Sequence, residues 1–276
     1  MIKKVDLAMW TKDGERFLPK VLKRIDEVIP FENIGRKILV DDHSVDNTVK
    51  IAKDFNWSVC MNPATGIPSG ANEALRRVET EFFVSLEQDI LLEKDWWSKI
   101  TPHFDDEKVA CAQGIKSFTN ETLRKLEEYV EARRLGTKGF VAIDNNIFRT
   151  NIVKGLGGFP TSCPICADTI LMKTILNRTS CRWIIDRNIV SLHIRESVLH
   201  QIRHTYKQSL LCAHSPYCSS VFSEISPLDQ LRLFITSPLR GLIVAVRKSE
   251  PNLTWAYPSI RFMWLRISLD RKKRAT

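Results

Sequence analysis

The sequence lacks a long uncharged hydrophobic segment. A helix that spans a bilayer needs roughly 20 consecutive apolar residues, and no stretch of this 276-residue chain approaches that length. Basic residues such as Arg240, Arg247 and Arg261 interrupt the most hydrophobic segments. Asp6 likewise interrupts the only short apolar run near the first residue, so no signal peptide is predicted. We therefore expect neither a membrane-spanning helix nor a secreted protein.

Disulfide bonds are also not expected. The chain contains 7 cysteines, an odd number, and most of them lie in apolar contexts, as Cys60 and Cys111 do. Free thiols of this kind are typical of proteins in a reducing compartment. The expected location is therefore the cytoplasm.

Acidic residues are scarce in the last quarter of the chain. After residue 200 there are 12 basic and 4 acidic residues, a net charge of +8, whereas the first 200 residues hold 29 basic and 28 acidic residues. This change predicts two regions, an α/β domain at residues 1–200 and a basic, amphipathic helical region at residues 201–276. With 43% hydrophobic and 26% charged residues, the chain has the composition of a globular protein.

The first hundred residues alternate strand-like and helix-like patterns. Apolar runs at residues 5–9, 38–40 and 82–86, and another that begins at Val59, are typical of buried strands. Between them, apolar residues recur with a helical period, as at residues 17–25. This order predicts a mostly parallel sheet with helices on both faces. Ligands of such sheets bind outside the carboxyl ends of the strands.

Two of these predicted strands end in acidic clusters. The second is followed by D-D-H-S-V-D-N-T at residues 41–48, and the fourth ends in E-Q-D at residues 87–89. Carboxylates crowded at one sheet edge repel each other unless donors or a cation compensate. Mg²⁺ or Mn²⁺, bound by one or two carboxylates plus substrate phosphates, would do so. The alternative is that Asp41, Asp42 and Ser44 only cap the next helix.

The run at residues 41–48, with other partial matches in the same order, resembles the nucleotide-binding signature of family-2 glycosyltransferases, which have the GT-A fold. The resemblance spans roughly residues 3–195. It implies a Rossmann-like, mostly parallel nucleotide-diphospho-sugar transferase sheet, followed here by a basic helical appendage. The other matching segments are W-T-K-D at residues 10–13, G-A-N-E-A-L at 70–75, F-F-V-S-L-E-Q-D at 82–89, N-I-F-R at 146–149, G-G-F at 157–159 and A-D-T-x-L at 167–171.

The resemblance implies a binding site for a nucleotide-sugar donor, carrying UDP, GDP or dTDP. Asp42 would accept a hydrogen bond from the base, with Trp10 or Thr11 beside it. Glu87 and Gln88 would contact the ribose, the sugar or a metal-bound water. The residues that the resemblance implies in donor binding are Trp10, Thr11, Asp41, Asp42, Asn72, Glu87 and Gln88.

The resemblance also implies a metal site and a general base. Asp89 would bind Mg²⁺ or Mn²⁺, with Glu87 and His193 as further ligands. Asp168 would deprotonate the hydroxyl of a glycan or lipid-linked acceptor, and the transfer would invert the anomeric carbon. Ala167 stands where the family usually has a glutamate before this base.

Two other interpretations stay open at this point. A polyprenyl-phosphate sugar synthase would use an acceptor phosphate that is already ionised, so it would need no strong base. A catalytically silent GT-A domain would serve as a binding or assembly subunit, and the departures from the family pattern at Glu87 and Ala167 favour that interpretation. The retention of Asp89 and Asp168 favours an active transferase.

The basic last quarter predicts a partner of its own. Residues 227–268 mix large apolar side chains with isolated Arg and Lys, and residues 271–274 are all basic. Helices with apolar faces and basic borders bind the surface of anionic membranes, so we expect a peripheral protein on the cytoplasmic membrane face. The alternative is a helical subdomain packed on the α/β domain. No recognised nucleic-acid-binding motif is present, and no nucleic-acid partner is predicted.

Overall fold

The computed structural model describes residues 2–131, 141–163, 166–211 and 226–275, without the side chains of residues 131, 210–211 and 271–275. Part of the predicted C-terminal region, residues 212–225, and the side chains of the basic run at 271–274 therefore lie outside the described residues. The chain divides into two compact units, Met1–Lys116 with Lys138–Ile194, and Ser117–Thr137 with Arg195–Thr276. The longer segment of the second unit begins at Arg195, close to the predicted boundary at residue 200. The shorter segment, which begins at Ser117, lies before that boundary.

The first unit is a mixed α/β structure. Its strands are β1 (Val5–Thr11), β2 (Ile34–Asp41), β3 (Ser58–Met61), β4 (Phe82–Glu87), β5 (Ile90–Leu91), β6 (Val109–Phe118), β7 (Asn146–Arg149) and β8 (Arg182–His193). Its helices are α1 (Leu18–Val28), α2 (Thr48–Asp54), α3 (Ile67–Arg77), α4 (Trp96–Ile100), α6 (Thr150–Gly155) and α7 (Ala167–Arg178). The helices of the second unit are α5 (Glu121–Glu131), α8 (Val198–Leu211), α9 (Pro227–Ile235), α10 (Ser237–Lys248) and α11 (Leu253–Ala275).

The strands form one eight-stranded sheet in the order β3-β2-β1-β4-β7-β6-β8-β5. Strands β1 to β4 are joined by parallel pairings, as the alternating pattern of the sequence predicts. β7 lies antiparallel to both of its neighbours, β4 and β6, and β5 pairs antiparallel with β8. The predicted α/β sheet is confirmed, and β7 adds a reversal that the sequence pattern did not predict.

Side chains of the central strand alternate between two hydrophobic clusters, one on each face of the sheet. Val5, Leu7 and Met9 of β1 join the cluster that also contains the apolar face of α1. Ala8 and Trp10 join the cluster that contains the apolar face of α3. Helices therefore cover both faces, and strand residues of either parity are buried.

The amino ends of the central strands are held together by one buried carboxylate. Asp6 accepts hydrogen bonds from the backbone N–H groups of Arg36 (2.8 Å), Glu79 (2.7 Å) and Thr80 (3.2 Å). It thereby ties β1 to β2 and to the start of β4. A Cβ at Gly35 would overlap an oxygen of this carboxylate, so only glycine fits there. This fully satisfied acid fixes the strands whose opposite ends carry the candidate site.

The second unit is helical over its described residues. Leu126 and Tyr129 of α5 pack with Val244 of α10 and with Leu253 and Tyr257 of α11. None of the described helices is both long enough and apolar enough to cross a membrane.

Candidate active site

The candidate site lies where several strand ends meet. Because β1, β2 and β4 are parallel, their last residues, Thr11, Asp41 and Glu87, lie along one edge of the sheet. β6 runs in the same direction as β4, since both are antiparallel to β7. The carboxyl end of β6 and the residues that precede β7 therefore reach the same edge.

Polar side chains brace the two loops that border this edge, the one after β1 and the one after β2. The Asp13 N–H donates to Ser44 Oγ (2.8 Å), the Gly14 N–H to Thr48 Oγ1 (2.7 Å) and the Glu15 N–H to an Asp46 oxygen (3.0 Å). Burial acts to raise the pKa of Asp46, but hydrogen bonds from Thr48 and Glu15 outweigh it and lower the pKa. The last three polar residues of the D-D-x-S-x-D-x-T run therefore hold the loops rather than line the site.

The first two residues of that run, Asp41 and Asp42, have different environments. Asp41 is buried; one of its oxygens accepts from the Ser44 N–H (2.9 Å), and the other has no hydrogen-bond partner within the described part of the chain. Asp42 accepts from the Asn62 amide (2.9 Å) and the Gly66 N–H (3.2 Å). The Ser44 N–H lies before α2, which begins at Thr48 with Asn47 as its N-cap residue and without a side-chain cap, so the alternative that Asp41, Asp42 and Ser44 only cap that helix is wrong. The second Asp41 oxygen is buried without a donor among the described residues.

Trp10 and Thr11 contact the acidic segment that follows β4. Trp10 Nε1 donates to Glu87 Oε1 over 3.2 Å. Gln88 accepts from the backbone N–H of Lys12 (2.8 Å) and donates to its carbonyl oxygen (2.8 Å), and it also contacts the Thr11 hydroxyl. The structure therefore brings these four predicted donor-site residues together, at the ends of β1 and β4.

Asn72, also predicted to bind the donor, has a structural contact here. Its amide donates to the Phe159 carbonyl (2.8 Å) and accepts from the Phe159 N–H (2.7 Å), so α3 is tied to the loop after α6. A Cβ at Gly158 would overlap the Asn72 oxygen, and Gly158 has a φ of +84°. The ring of Phe159 in turn meets that of Trp10 edge-on at 6.2 Å. Asn72 thus holds Phe159 in its contact with Trp10. Its contact with a nucleotide stays a prediction.

Asp89 and His193 form a close pair at the edge. His193 is the last residue of β8, and its neighbour across the β5–β8 pairing is Ile90, which follows Asp89. This register brings His193 Nε2 within 3.1 Å of Asp89 Oδ2. Two of the three predicted metal ligands are therefore in direct contact.

Among the shifted acids of the cluster, Glu87 has the largest change in pKa. Desolvation, together with the carboxylates of Asp144 and Asp89, raises the pKa of Glu87 to about 8, although Lys116 and the Trp10 hydrogen bond act in the opposite direction. A carboxyl group with such a pKa is mostly protonated at neutral pH. Burial and the neighbouring carboxylates of Asp144 and Asp89 thus disfavour a further negative charge at this edge.

Lys116 and Asp144 belong to the cluster, and sequence reasoning missed both. Lys116 Nζ lies 2.7 and 3.0 Å from the two Asp144 oxygens, and Asp144 is buried. Asp144 and Glu87 together raise the pKa of Lys116, against the lowering effect of burial. The sequence pattern contains no signal for them, because Asp144 reaches the carboxyl edge only through the antiparallel direction of β7.

Asp168 stands in the first turn of α7. Its Oδ1 accepts from the Thr169 N–H at 2.5 Å. Burial raises the pKa of Asp168 to about 6, while the Thr169 hydrogen bonds and Lys116 lower it and Asp144 raises it further. The Lys116–Asp144 pair therefore acts on both Glu87 and Asp168. A carboxylate with a pKa near neutrality is suited to accept a proton.

The acidic edge fits a divalent cation, provided that a substrate supplies further ligands. No group of three or more His, Cys, Asp or Glu side chains in the described ranges is arranged to bind a metal by itself. The Asp89 oxygen and the His193 nitrogen, 3.1 Å apart, have the separation expected of adjacent ligands with bonds of about 2.1 Å. Carboxylate oxygens suit Mg²⁺ and Mn²⁺, which commonly take their remaining ligands from phosphates and water.

Comparison with known families and structures matches this chain to a family and a fold. The family model for glycosyl transferase family 2 matches residues 10–162, more than half of the chain. The matched range includes both acidic strand ends and stops just before Asp168. No curated protein sequence matches.

Solved structures of glycosyltransferases have the same fold. The mannosyltransferase PcManGT from Pyrobaculum calidifontis, in complex with GDP-Man and Mn²⁺, superposes with a TM-score of 0.66 at 16% identity and covers 96% of this chain and 87% of its own. TarS from S. aureus, in complex with UDP-GlcNAc, superposes with a TM-score of 0.56 at 14% identity, covering 98% and 92%. Glucosyl-3-phosphoglycerate synthase from Mycobacterium tuberculosis gives 0.56 at 12% identity, covering 76% and 79%.

Proposed function

Since this chain belongs to glycosyl transferase family 2, we propose that its strand-end cluster transfers a sugar from a nucleoside diphosphate to an acceptor hydroxyl. The observation that carries the proposal is the convergence of Glu87, Asp89 and His193 at the carboxyl edge, beside Trp10 and Gln88. Ligands of open α/β sheets bind at this edge. A crowded set of acids there is costly to the protein unless a bound species compensates it.

The donor would bind along the ends of β1, β2 and β4. Asp41 offers a buried carboxylate oxygen with no donor among the described residues, and a base or ribose N–H or O–H would satisfy it. Asp42 lies beside it and holds Asn62 and Gly66 at the start of α3. Similar folds have been solved with GDP-Man and with UDP-GlcNAc, which supports a nucleotide-sugar donor without choosing among UDP, GDP and dTDP.

Asp89 and His193, with Glu87 nearby, would hold Mg²⁺ or Mn²⁺ together with the diphosphate. When bound, the cation supplies positive charge that stabilises the departing nucleoside diphosphate. The complex of a similar fold with Mn²⁺ supports this choice of ion. Trp10 orients the Glu87 carboxyl through its indole N–H, and Gln88 ties the end of β4 to the loop after β1.

Asp168 would act as the general base. The acceptor oxygen bonds to the anomeric carbon as the bond from that carbon to the diphosphate oxygen breaks, and the acceptor proton passes to Asp168. Attack from the face opposite the diphosphate inverts the anomeric carbon. Partial burial prepares Asp168 for this role because it raises the pKa to about 6. Lys116, which is paired with Asp144, lowers the pKa of Asp168 and so helps to keep this carboxyl group ionised near neutral pH.

The acceptor is proposed to be a glycan or a lipid-linked molecule at the cytoplasmic face of a membrane. The net positive charge of the residues after 200 supports a location there. A polyprenyl phosphate remains the second candidate acceptor, because the environment of Asp168 lacks the neighbouring glutamate that the family usually has. The two are separated by replacing Asp168, which a phosphate acceptor does not need.

The test is release of nucleoside diphosphate from UDP-, GDP- and dTDP-sugars, with Mn²⁺ or Mg²⁺ and with or without a membrane lipid extract. We expect release from one donor class that depends on the metal and is lost in Asp89→Ala. The matched control is Asp106→Ala, which removes an exposed carboxylate of the same unit that pairs with Arg182. Nucleotide binding without turnover under every condition would instead favour a catalytically silent subunit.

A further inference from the structure

Helices of the second unit expose apolar side chains that recur at helical spacing. On α9, Leu228, Leu231 and Ile235 are exposed, and Ile235 is 66% exposed, whereas Gln230 is buried. The exposed residues follow one another at intervals of three and four, so they lie on one face of the helix. This helix therefore exposes three aliphatic residues together with Asp229 and Arg232 and buries Gln230, whereas an ordinary surface helix buries its aliphatic residues.

The next helix, α10, repeats the same arrangement. Leu239, Leu242, Ile243 and Val246 are exposed, the last of them 73%, again with helical spacing. Scattered exposed leucines are normal on a protein surface, but exposed apolar stripes on two consecutive helices that contact each other are typical of a surface that contacts something apolar.

Close packing on its opposite side fixes the orientation of α10. The exposed apolar face of this helix is therefore not a face that should have been placed in the hydrophobic core. Its opposite side buries Val244 against Leu253 and Tyr257 of α11. A Cβ at Gly241 would lie 3.0 Å from the Thr254 carbonyl oxygen and 3.1 Å from that of Leu253. Only glycine allows the backbones to approach in this way, and a rotation that buried the leucines would bring larger side chains into the same space.

Positive charge borders the apolar face. Arg240 and Arg247 are seven residues apart, and the helical period places both about 90° from the centre of the exposed stripe on α10. The helix contains no acidic residue. On α9 the exposed Arg232 pairs with Asp229, the only acid of that helix. Long basic side chains at such a border can reach lipid headgroups while the leucines insert.

The face extends to the last helix. Trp255 and Phe262 of α11 are exposed, and the Phe262 ring contacts that of Phe234 on α9, with ring centroids 5.4 Å apart. Tryptophan with its indole at a surface is common where one end of a side chain is apolar and the other hydrated. All three helices thus contribute large apolar side chains that remain exposed.

We propose that the face formed by the exposed residues of α9 and α10, with Trp255 and Phe262 of α11, docks in the interface of an anionic membrane. Charge complementarity identifies the occupant: residues after 200 carry 12 basic against 4 acidic side chains. A second copy of the chain would bring the same arginines face to face, which is unfavourable. An anionic lipid surface satisfies the apolar stripe and its basic border together.

On a membrane surface the proposed transferase would meet a lipid-linked acceptor, and this link rests on the proposed function. Membrane binding itself is measured without catalysis. The experiment is flotation of the full chain with vesicles of phosphatidylcholine alone, or of phosphatidylcholine with phosphatidylglycerol. We expect the protein to float only with the anionic vesicles, and salt to weaken the binding. A chain that stays at the bottom of the gradient at low salt would overturn the proposal.

Two variants divide the surface into its parts. The triple change Leu239→Gln, Leu242→Gln and Val246→Gln should abolish flotation. The pair Arg240→Gln and Arg247→Gln should weaken it about 25-fold, since each basic residue near an anionic surface contributes about fivefold. The control Phe31→Gln with Leu176→Gln, which alters exposed apolar residues of the first unit, should float as the unchanged protein does.

The outcomes also separate this proposal from the proposed function. Asp89→Ala should float normally even though it releases no nucleoside diphosphate. Circular dichroism of each variant checks that it is folded, and if the triple variant is not, the arginine pair and the salt dependence carry the test. Triple-variant flotation equal to that of the unchanged protein would overturn the proposal. So would light scattering that shows a dimer which the triple change converts to a monomer, without binding to vesicles.

Discussion

The first unit gathers buried acidic groups at one edge of its sheet, whereas the second exposes apolar side chains in stripes along two helices. At the carboxyl edge of the sheet, Asp41 and Asp144 are buried, and the pKa values of Glu87 and Asp168 are raised. On α9 and α10, leucine, isoleucine and valine side chains are exposed along helical stripes. Each arrangement costs stability in an isolated chain, because buried charge loses hydration and exposed apolar surface orders water. We therefore propose that a bound partner compensates each arrangement, ions and phosphates in the first unit and an apolar, anionic surface in the second.

A comparison within the first unit sharpens this interpretation. Asp6 is as deeply buried as Asp41, but three backbone N–H groups donate to its carboxylate. Asp41 retains an oxygen without a donor in the described part of the chain. Burial alone therefore does not mark a functional acid; incomplete satisfaction at the strand ends does.

Loss of the proposed base should have the largest effect on catalysis. Asp168→Asn keeps the size of the side chain but cannot accept the acceptor proton, so transfer should fall about 10²–10⁴-fold. Donor affinity, measured by the thermal shift with nucleotide and metal, should be unchanged. Unaltered transfer would remove Asp168 from the mechanism and favour an acceptor that is already ionised, such as a phosphate.

Breaking the ion pair inside the site should destabilise the first unit. Lys116→Met leaves Asp144 buried without its cation, at a cost of about 3 kcal/mol, near the lower end of the range for broken buried pairs. The added change Asp144→Leu removes the stranded charge and should recover most of the loss. Chemical denaturation measures both.

The second unit supplies the matched control for that ion pair. Arg124 and Glu128 form an exposed pair on α5, 2.7 Å apart. Arg124→Met should change the free energy of unfolding by only about 0.3–0.5 kcal/mol, as for other exposed helical pairs. Equal effects of Arg124→Met and Lys116→Met would contradict the contrast between buried and exposed charge.

Two histidine–carboxylate pairs of the first unit should differ in metal binding. His193 and Asp89 are 3.1 Å apart at the carboxyl edge, and His103 and Asp186 are 2.9 Å apart elsewhere. His193→Ala removes a proposed ligand and should weaken Mn²⁺ binding by at least about 10–100-fold, the range for loss of a residue that only supports a ligand. His103→Ala should leave it unchanged. Titration of free Mn²⁺ by electron paramagnetic resonance, with nucleotide present, distinguishes the two.

The effect of pH on the rate of transfer should be the smallest of these effects, and it should be gradual. Burial raises the pKa of Asp168 to about 6, and a base acts only in its deprotonated form. Transfer should therefore be constant well above pH 6 and fall about tenfold for each unit below it. The same descending limb should be missing from the residual activity of Asp168→Asn. A limb that persists in the variant would mean that another group titrates.

The parallel part of the fold and its acidic edge could be predicted from the sequence. Alternating strand and helix patterns are local, and the ends of parallel strands must share an edge, so Asp41, Glu87 and Asp89 could be assigned to one site. Lys116 and Asp144 could not, because they arrive through the reversal at β7. Asn72 could not be recognised as a support, since its partner Phe159 lies 87 residues away along the chain.

The second unit shows the limit of a sequence pattern differently. α10 has apolar residues on two faces, so its sequence alone does not decide between a helix at a membrane surface and a helix packed in a subdomain. The packing of Gly241 against the carbonyl oxygens of α11 determines which face is buried. That contact depends on the tertiary structure and is invisible in the helical period alone.

The central claim is that the acidic strand ends bind a nucleoside diphosphate together with a divalent cation. Isothermal titration calorimetry with UDP and with GDP, each with and without Mn²⁺, tests it most directly. We predict that one nucleotide binds the unchanged protein only with Mn²⁺ and that Asp89→Ala loses this binding, whereas Asp106→Ala keeps it. Nucleotide binding that is independent of Mn²⁺ and unaffected by Asp89→Ala would contradict the claim.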